Sequence, residues 1–161
     1  MRHTWLLLPA LLLGAAPAHA AGGLIQDHAG IFSAEATKAA DGILADIHRR
    51  FEMEVVVETF RQIPDARKAQ FSPERKADFF KQWALEEANA RRVRGVYILV
   101  CMEPPQVQLG SDRAAARRAF RPENRAELVK LFIGKFKQKE FDAGLLAGLE
   151  FVRGTVTANL K

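Results

Sequence analysis

Asp27 and His28 stand side by side ahead of Ala29-Gly30, so a carboxylate and an imidazole lead directly into a turn signal. A carboxylate there can offer a hard oxygen to a divalent cation, of which calcium gathers about six to eight. It can equally bond the backbone of its own turn. Glu58, Glu103 and Asp112 fall near expected strand ends or connections and are the carboxylates that could join Asp27 around one ion. His28 follows Asp27 directly and is a candidate ligand contact, while His48 sits beside Arg49 and Arg50 near a helix end, where a cation suits the dipole. Neither histidine has a serine or cysteine nearby in a nucleophile motif, so a hydrolase triad has no support.

A second chemistry is written in arginine. Arg113, Arg117, Arg121 and Arg125 recur every four residues, with Arg118 alongside, along one helical face and its continuation past Pro122. Arg91, Arg92 and Arg94 form another cluster. Guanidinium groups bind planar anions in bidentate fashion, so the stripe suits an anionic partner: phosphate, a lipid headgroup or an acidic protein surface. Solvation on an exposed helix is the other fate of such residues. No aromatic residues interleave with them as single-stranded nucleic acid would favour, and nucleic acid is not the expected partner.

The frame that must position these groups is one domain of 161 residues, with 48% hydrophobic and 27% charged residues, too apolar for a disordered chain. Arg2 and His3 precede the apolar run Trp5 to Ala16, and Ala18-His19-Ala20 supplies small residues at a signal-peptidase site. That run is too short to span a bilayer, which needs roughly 20 residues. Residues 1–20 are therefore expected to be a signal peptide cut after Ala20, and 21–161 a single exported domain, periplasmic or secreted. No later segment is apolar enough to span a membrane. The formal charge is +5. The single cysteine, Cys101, excludes an internal disulfide and a cysteine-based zinc cluster, and its apolar neighbours predict a buried, inert thiol.

Leu24 to Asp27 reads as a short extended segment, and Ser33 can cap a helix over 34–51 whose apolar residues recur at helical spacing. Met53 to Phe60 reads as a strand near a sheet edge, because Glu54 and Glu58 share one of its faces. Residues 61–71 lack periodicity and are expected to form an exposed loop before a helix from Ser72-Pro73 to about Ala90, with Phe79, Phe80 and Trp83 as core packing. Gly95 opens Val96 to Cys101, continuously apolar and thus a central strand covered on both faces. Glu103-Pro104-Pro105 turns the chain into a short antiparallel strand, Gln106 to Leu109, ended by Gly110. Further helices are expected to about Phe120, from Pro122 to Phe136, and from Asp142, as its cap, to about Ala158. Gly144 and Gly148 should let the last helix approach the sheet. The alternation implies an α/β fold, a three-layer α/β/α sandwich with a small mixed sheet of about four strands and additional C-terminal helices.

Four segments, Asp27-His28-Ala29-Gly30-Ile31-Phe32-Ser33, Gly95 to Val100, Val107 to Gly110, and Phe141-Asp142-Ala143-Gly144-Leu145-Leu146-Ala147-Gly148, resemble in order and spacing the TPM domain. The resemblance covers about residues 24 to 158 and implies the same three-layer fold outside the cytoplasm. It further implies two functional classes, a metal-assisted acid phosphatase using calcium or magnesium, and an accessory or binding domain for a membrane protein. Asp27 matches the family's acidic position and is the implied metal ligand, with calcium the implied cation. The family's usual Asp-Asn-Gly before the central strand is here Val93-Arg94-Gly95, a tripeptide that has lost its acid and gained a cation. That departure favours the binding module, with an anionic surface or a protein as its partner.

Overall fold

The computed structural model describes residues 24–111 and 118–160. The expected signal peptide, Asp112, Arg113 and Arg117 lie outside the described residues. Strands β1 (Ile25–Asp27), β2 (Glu54–Phe60), β3 (Gly95–Cys101) and β4 (Gln106–Ser111) form one sheet in the order β1-β2-β3-β4. The first three are parallel, and β4 turns back antiparallel to β3. The described α-helices are α1 (Ala34–Phe51), the single turn α2 (Asp65–Lys68), α3 (Lys76–Ala90), α4 (Pro122–Lys137) and α5 (Phe141–Asn159). None of these helices is long and apolar enough to cross a membrane.

Strand alternation sorts the core into two layers. Val55 and Val57 of β2 and Val96, Ile98 and Val100 of β3 join Leu44 and Ile47 of α1, Leu128 and Phe132 of α4, and Leu145 and Leu149 of α5. On the opposite face Val56, Tyr97, Leu99 and Cys101 meet Phe80, Trp83 and Ala84 of α3. Both parallel connections step the same way across the sheet, yet α1 covers one face and α3 the other. The two crossovers are therefore of opposite hand, and one is of the rare left-handed kind.

Several expectations are corrected. β2 is interior, flanked by β1 and β3, because its Glu58 finds buried partners and does not require solvent. The segment after it is not a bare loop: Ile63 is buried, and Arg67 of α2 pairs with Glu86 and Glu87. Ser72 caps no helix, and a 3-10 turn, Pro73–Arg75, precedes α3. Gly110 does not end β4 but pairs with Tyr97, where a Cβ would lie 2.7 Å from Ala84 O. The strand thus uses glycine to bring α3 close. Gly144 and Gly148 serve an approach to α4 and not to the sheet, since their Cβ positions lie 2.6 Å from a Phe136 ring carbon and 2.4 Å from one of Phe132.

Candidate functional site

The C-terminal ends of parallel strands are where open α/β sheets place ligands, and the expected residue Asp27 lies there, at the end of β1. Its carboxylate is engaged on both oxygens. Oδ2 accepts the Phe32 N–H at 2.8 Å, and Oδ1 accepts a short bond from the Thr59 hydroxyl. The same hydroxyl accepts the Ala29 N–H at 3.0 Å, and Arg61 donates to Ala29 O at 2.7 Å. Gly30 turns the chain at φ 64°, a left-handed conformation that suits glycine. The turn is thus tied to β2 from both sides of the Asp27 side chain.

Ser33 then caps α1, its hydroxyl accepting the Ala36 N–H at 3.1 Å. Asp142 does not cap its own helix. Its Oδ1 reaches across the molecule to accept the Ser33 N–H at 2.8 Å, so the first turn of α5 holds the N-terminus of α1.

Beside this turn, on the α3 face, Glu58 is 2% exposed. Its Oε1 accepts from Arg91 at 2.7 Å and lies 3.1 Å from His28 Nε2, and its Oε2 accepts the Tyr97 hydroxyl at 2.5 Å. Arg91 comes from the end of α3, Tyr97 from the neighbouring strand, and His28 from the turn after β1. A carboxylate buried this deeply persists only when paired and hydrogen-bonded, and three partners meet that need. Burial, more than the adjacent Glu58 carboxylate, pushes the Tyr97 phenol well above its ordinary range. His28 itself is exposed and packs against Phe60 at 5.4 Å between ring centroids.

Of the carboxylates considered with Asp27, Glu58 is committed to this network, and Glu103 is exposed on the β3–β4 turn. Among the described residues no three His, Cys, Asp or Glu side chains gather as a metal site. Asp27 keeps unused lone pairs, so it is the described acid at this turn that would contribute to one. The arginine clusters divide. All three arginines of 91–94 are exposed, but Arg91 commits its guanidinium to buried Glu58, so 91–94 is not one free basic patch. Arg121 is exposed at the start of α4, and Arg125, one turn on, is half-buried against β4 with its Nε unpartnered. His48 is exposed in the last turn of α1, as its neighbours suggest. Cys101 is buried, which pushes its thiol pKa up, and the thiol lies 3.3 Å from Glu103 O.

The sequence profile of the TPM domain matches residues 25–154. No curated protein matches the chain by sequence. Among solved structures, the N-terminal domain of a P. gingivalis protein is similar with a TM-score of 0.67 at 19% identity, over 85% of this chain and 83% of that one. The N-terminal domain of a Corynebacterium glutamicum protein gives 0.62 at 11%, over 92% and 88%. The BA42 protein of Bizionia argentinensis gives 0.54 at 20%, over 80% and 83%. At these identities the likeness is one of fold.

Proposed function

The chain belongs to the TPM domain family, and on that premise we propose that it is an exported binding or accessory module, without catalysis of its own, whose partner is a protein or an anionic surface outside the cytoplasm. The observation that carries this reading is the engagement of Asp27, whose two carboxylate oxygens each take a hydrogen bond from the protein's own turn and strand. A metal-assisted phosphatase needs several carboxylates turned toward one ion, whereas here Asp27 holds its turn and Glu58, the neighbouring acid, is committed to Arg91 and Tyr97. The tripeptide before β3 adds to the argument: Val93-Arg94-Gly95 lacks the acid that the family resemblance expects and carries a cation, and the Arg94 backbone N–H donates to Glu54. Arg121 and Arg125 supply the anion-seeking side of the module, and the leader-like start Arg2 to Ala20 supports export.

The test is incubation of the purified protein with a generic phosphomonoester from acidic to neutral pH, with and without calcium or magnesium. No turnover is expected. Turnover that disappears in Asp27→Asn would overturn the reading, whereas a calcium-dependent rise in melting temperature without turnover would identify a bound ion in a module.

A further inference from the structure

Among the described strands β4 is an edge of the sheet, and the direction of its backbone groups follows from its neighbours. Met102 N–H bonds Phe60 O at 2.9 Å and Glu54 N–H bonds Arg94 O at 3.0 Å, so even-numbered residues along β3 turn their backbone toward β2. The odd ones face β4, which makes Tyr97–Gly110, Leu99–Gln108 and Cys101–Gln106 the hydrogen-bonded pairs of the antiparallel ladder. Val107, Leu109 and Ser111 consequently present N–H and C=O groups to the open edge. Two of those carbonyls are met, among the described residues, by local glutamines, as Gln106 and Gln108 side chains donate to Val107 O and Leu109 O, each at 3.3 Å. Such contacts mask an edge and yield to a better partner.

Two adjoining grooves, of about 370 and 440 Å³, open along this edge. Their apolar lining includes Leu85 on the α3 side and Val129, Ile133 and Phe136 on the α4 side. Ile133 is among the large apolar side chains left exposed. Among the described residues the charged ones that line the grooves are Lys81, Arg125, Lys130 and Lys137, and none is a carboxylate. Ser111 Oγ and Arg125 Nε are buried there without a hydrogen-bond partner among the described residues, and burial lowers the Arg125 pKa.

We infer that β4 docks an extended, acidic segment of another protein as a fifth strand. This rests on the binding-module reading and gives its partner a chemistry. An added strand satisfies the outward N–H and C=O groups. Its side chains alternate toward α3 and toward α4, and each side offers apolar surface together with a cation. The charge decides the occupant: a second copy of the same edge would set lysine and arginine against lysine and arginine, whereas glutamates or aspartates neutralise them.

The probe is the acetylated and amidated octapeptide Val-Glu-Glu-Val-Val-Glu-Glu-Val, which carries both residue types on each face, titrated into the ¹⁵N-labelled protein at about 50 mM salt, where charge screening is moderate. Binding should protect the amides of Val107, Leu109 and Ser111 from solvent exchange. Lys130→Glu with Lys137→Glu, both outside the sheet, should weaken it by about tenfold or more. The same peptide N-methylated at every amide, which leaves neither edge with donors, should not bind. Absence of binding near 1 mM peptide, equal binding by the N-methylated form, shifts that avoid β4, or binding only to phosphatidylglycerol vesicles would each overturn strand addition. None of those results touches the module reading, which the phosphomonoester assay tests separately.

Discussion

The chain has one tyrosine, and the structure places it under Glu58, so its titration is a direct report on the buried network. Burial, reinforced by the carboxylate beside it, raises the Tyr97 pKa in the folded state. The native protein therefore keeps a proton that the unfolded chain loses above about pH 10. With fewer protons bound in the unfolded state, stability must fall as pH rises, by about 1.4 kcal/mol per pH unit from this group. The stabilisation is fully present below pH 10 and is lost above it. Tyr97→Phe removes the hydroxyl and leaves Glu58 Oε2 without that donor, a loss of about 1–3 kcal/mol near neutrality. Because the variant has no phenol to titrate, its deficit relative to the parent should narrow by about 1.4 kcal/mol between pH 8 and pH 11. Cys101, also raised by burial, contributes an alkaline slope of its own, but it is common to both proteins and cancels in the difference. Urea unfolding of the pair across this range measures the narrowing, and phenolate absorbance near 295 nm gives an independent reading. A constant deficit, or a phenol that ionises near pH 10 while the fold is intact, would refute the buried hydroxyl–carboxylate pair.

Other outcomes follow from the same contacts. Gly148→Leu should lower stability by about 1–3 kcal/mol, since even a Cβ there meets the Phe132 ring; unchanged thermal stability would show that α4 and α5 are not so closely packed. Asp142→Ala should cost about 1–2 kcal/mol in denaturant unfolding by orphaning the Ser33 N–H, whereas a self-capping role would confine the increase in hydrogen exchange to α5. Arg91→Ala should destabilise more than Arg92→Ala in thermal melts, because Arg91 alone of the two pairs with buried Glu58.

What the residues reveal by themselves depends on whether the cause is local. The unbroken apolar run of β3 requires cover on both faces, and the spacing along α1 with Ser33 before it defines a helix and its cap. Asp27 is recognisable as a turn acid within six residues of the N–H it holds, but the place of β2 between β1 and β3 is not legible, since its glutamates suggest an edge. Glu58 shows the opposite case. A charge on alternate positions suggests a solvated face, and its partners Arg91 and Tyr97 lie 33 and 39 residues away, beyond any periodicity. Tyr97, buried in the most apolar strand, is the polar residue whose presence there hints at the network. Gly110, Gly144 and Gly148 carry a similar ambiguity: glycine signals an absent side chain, but which neighbour occupies the space is a property of the packed layers. The open edge of β4 is likewise legible only once strand order is known.

The bond from Ser33 N–H to Asp142, spanning 109 positions, makes the beginning and the end of the fold mechanically interdependent. Fraying the first turn of α5 would free the Ser33 N–H and loosen the start of α1, next to the short stretch that holds Asp27 in place. Coupling between the starts of α1 and α5 needs no moving domain, only the fraying of one helical turn.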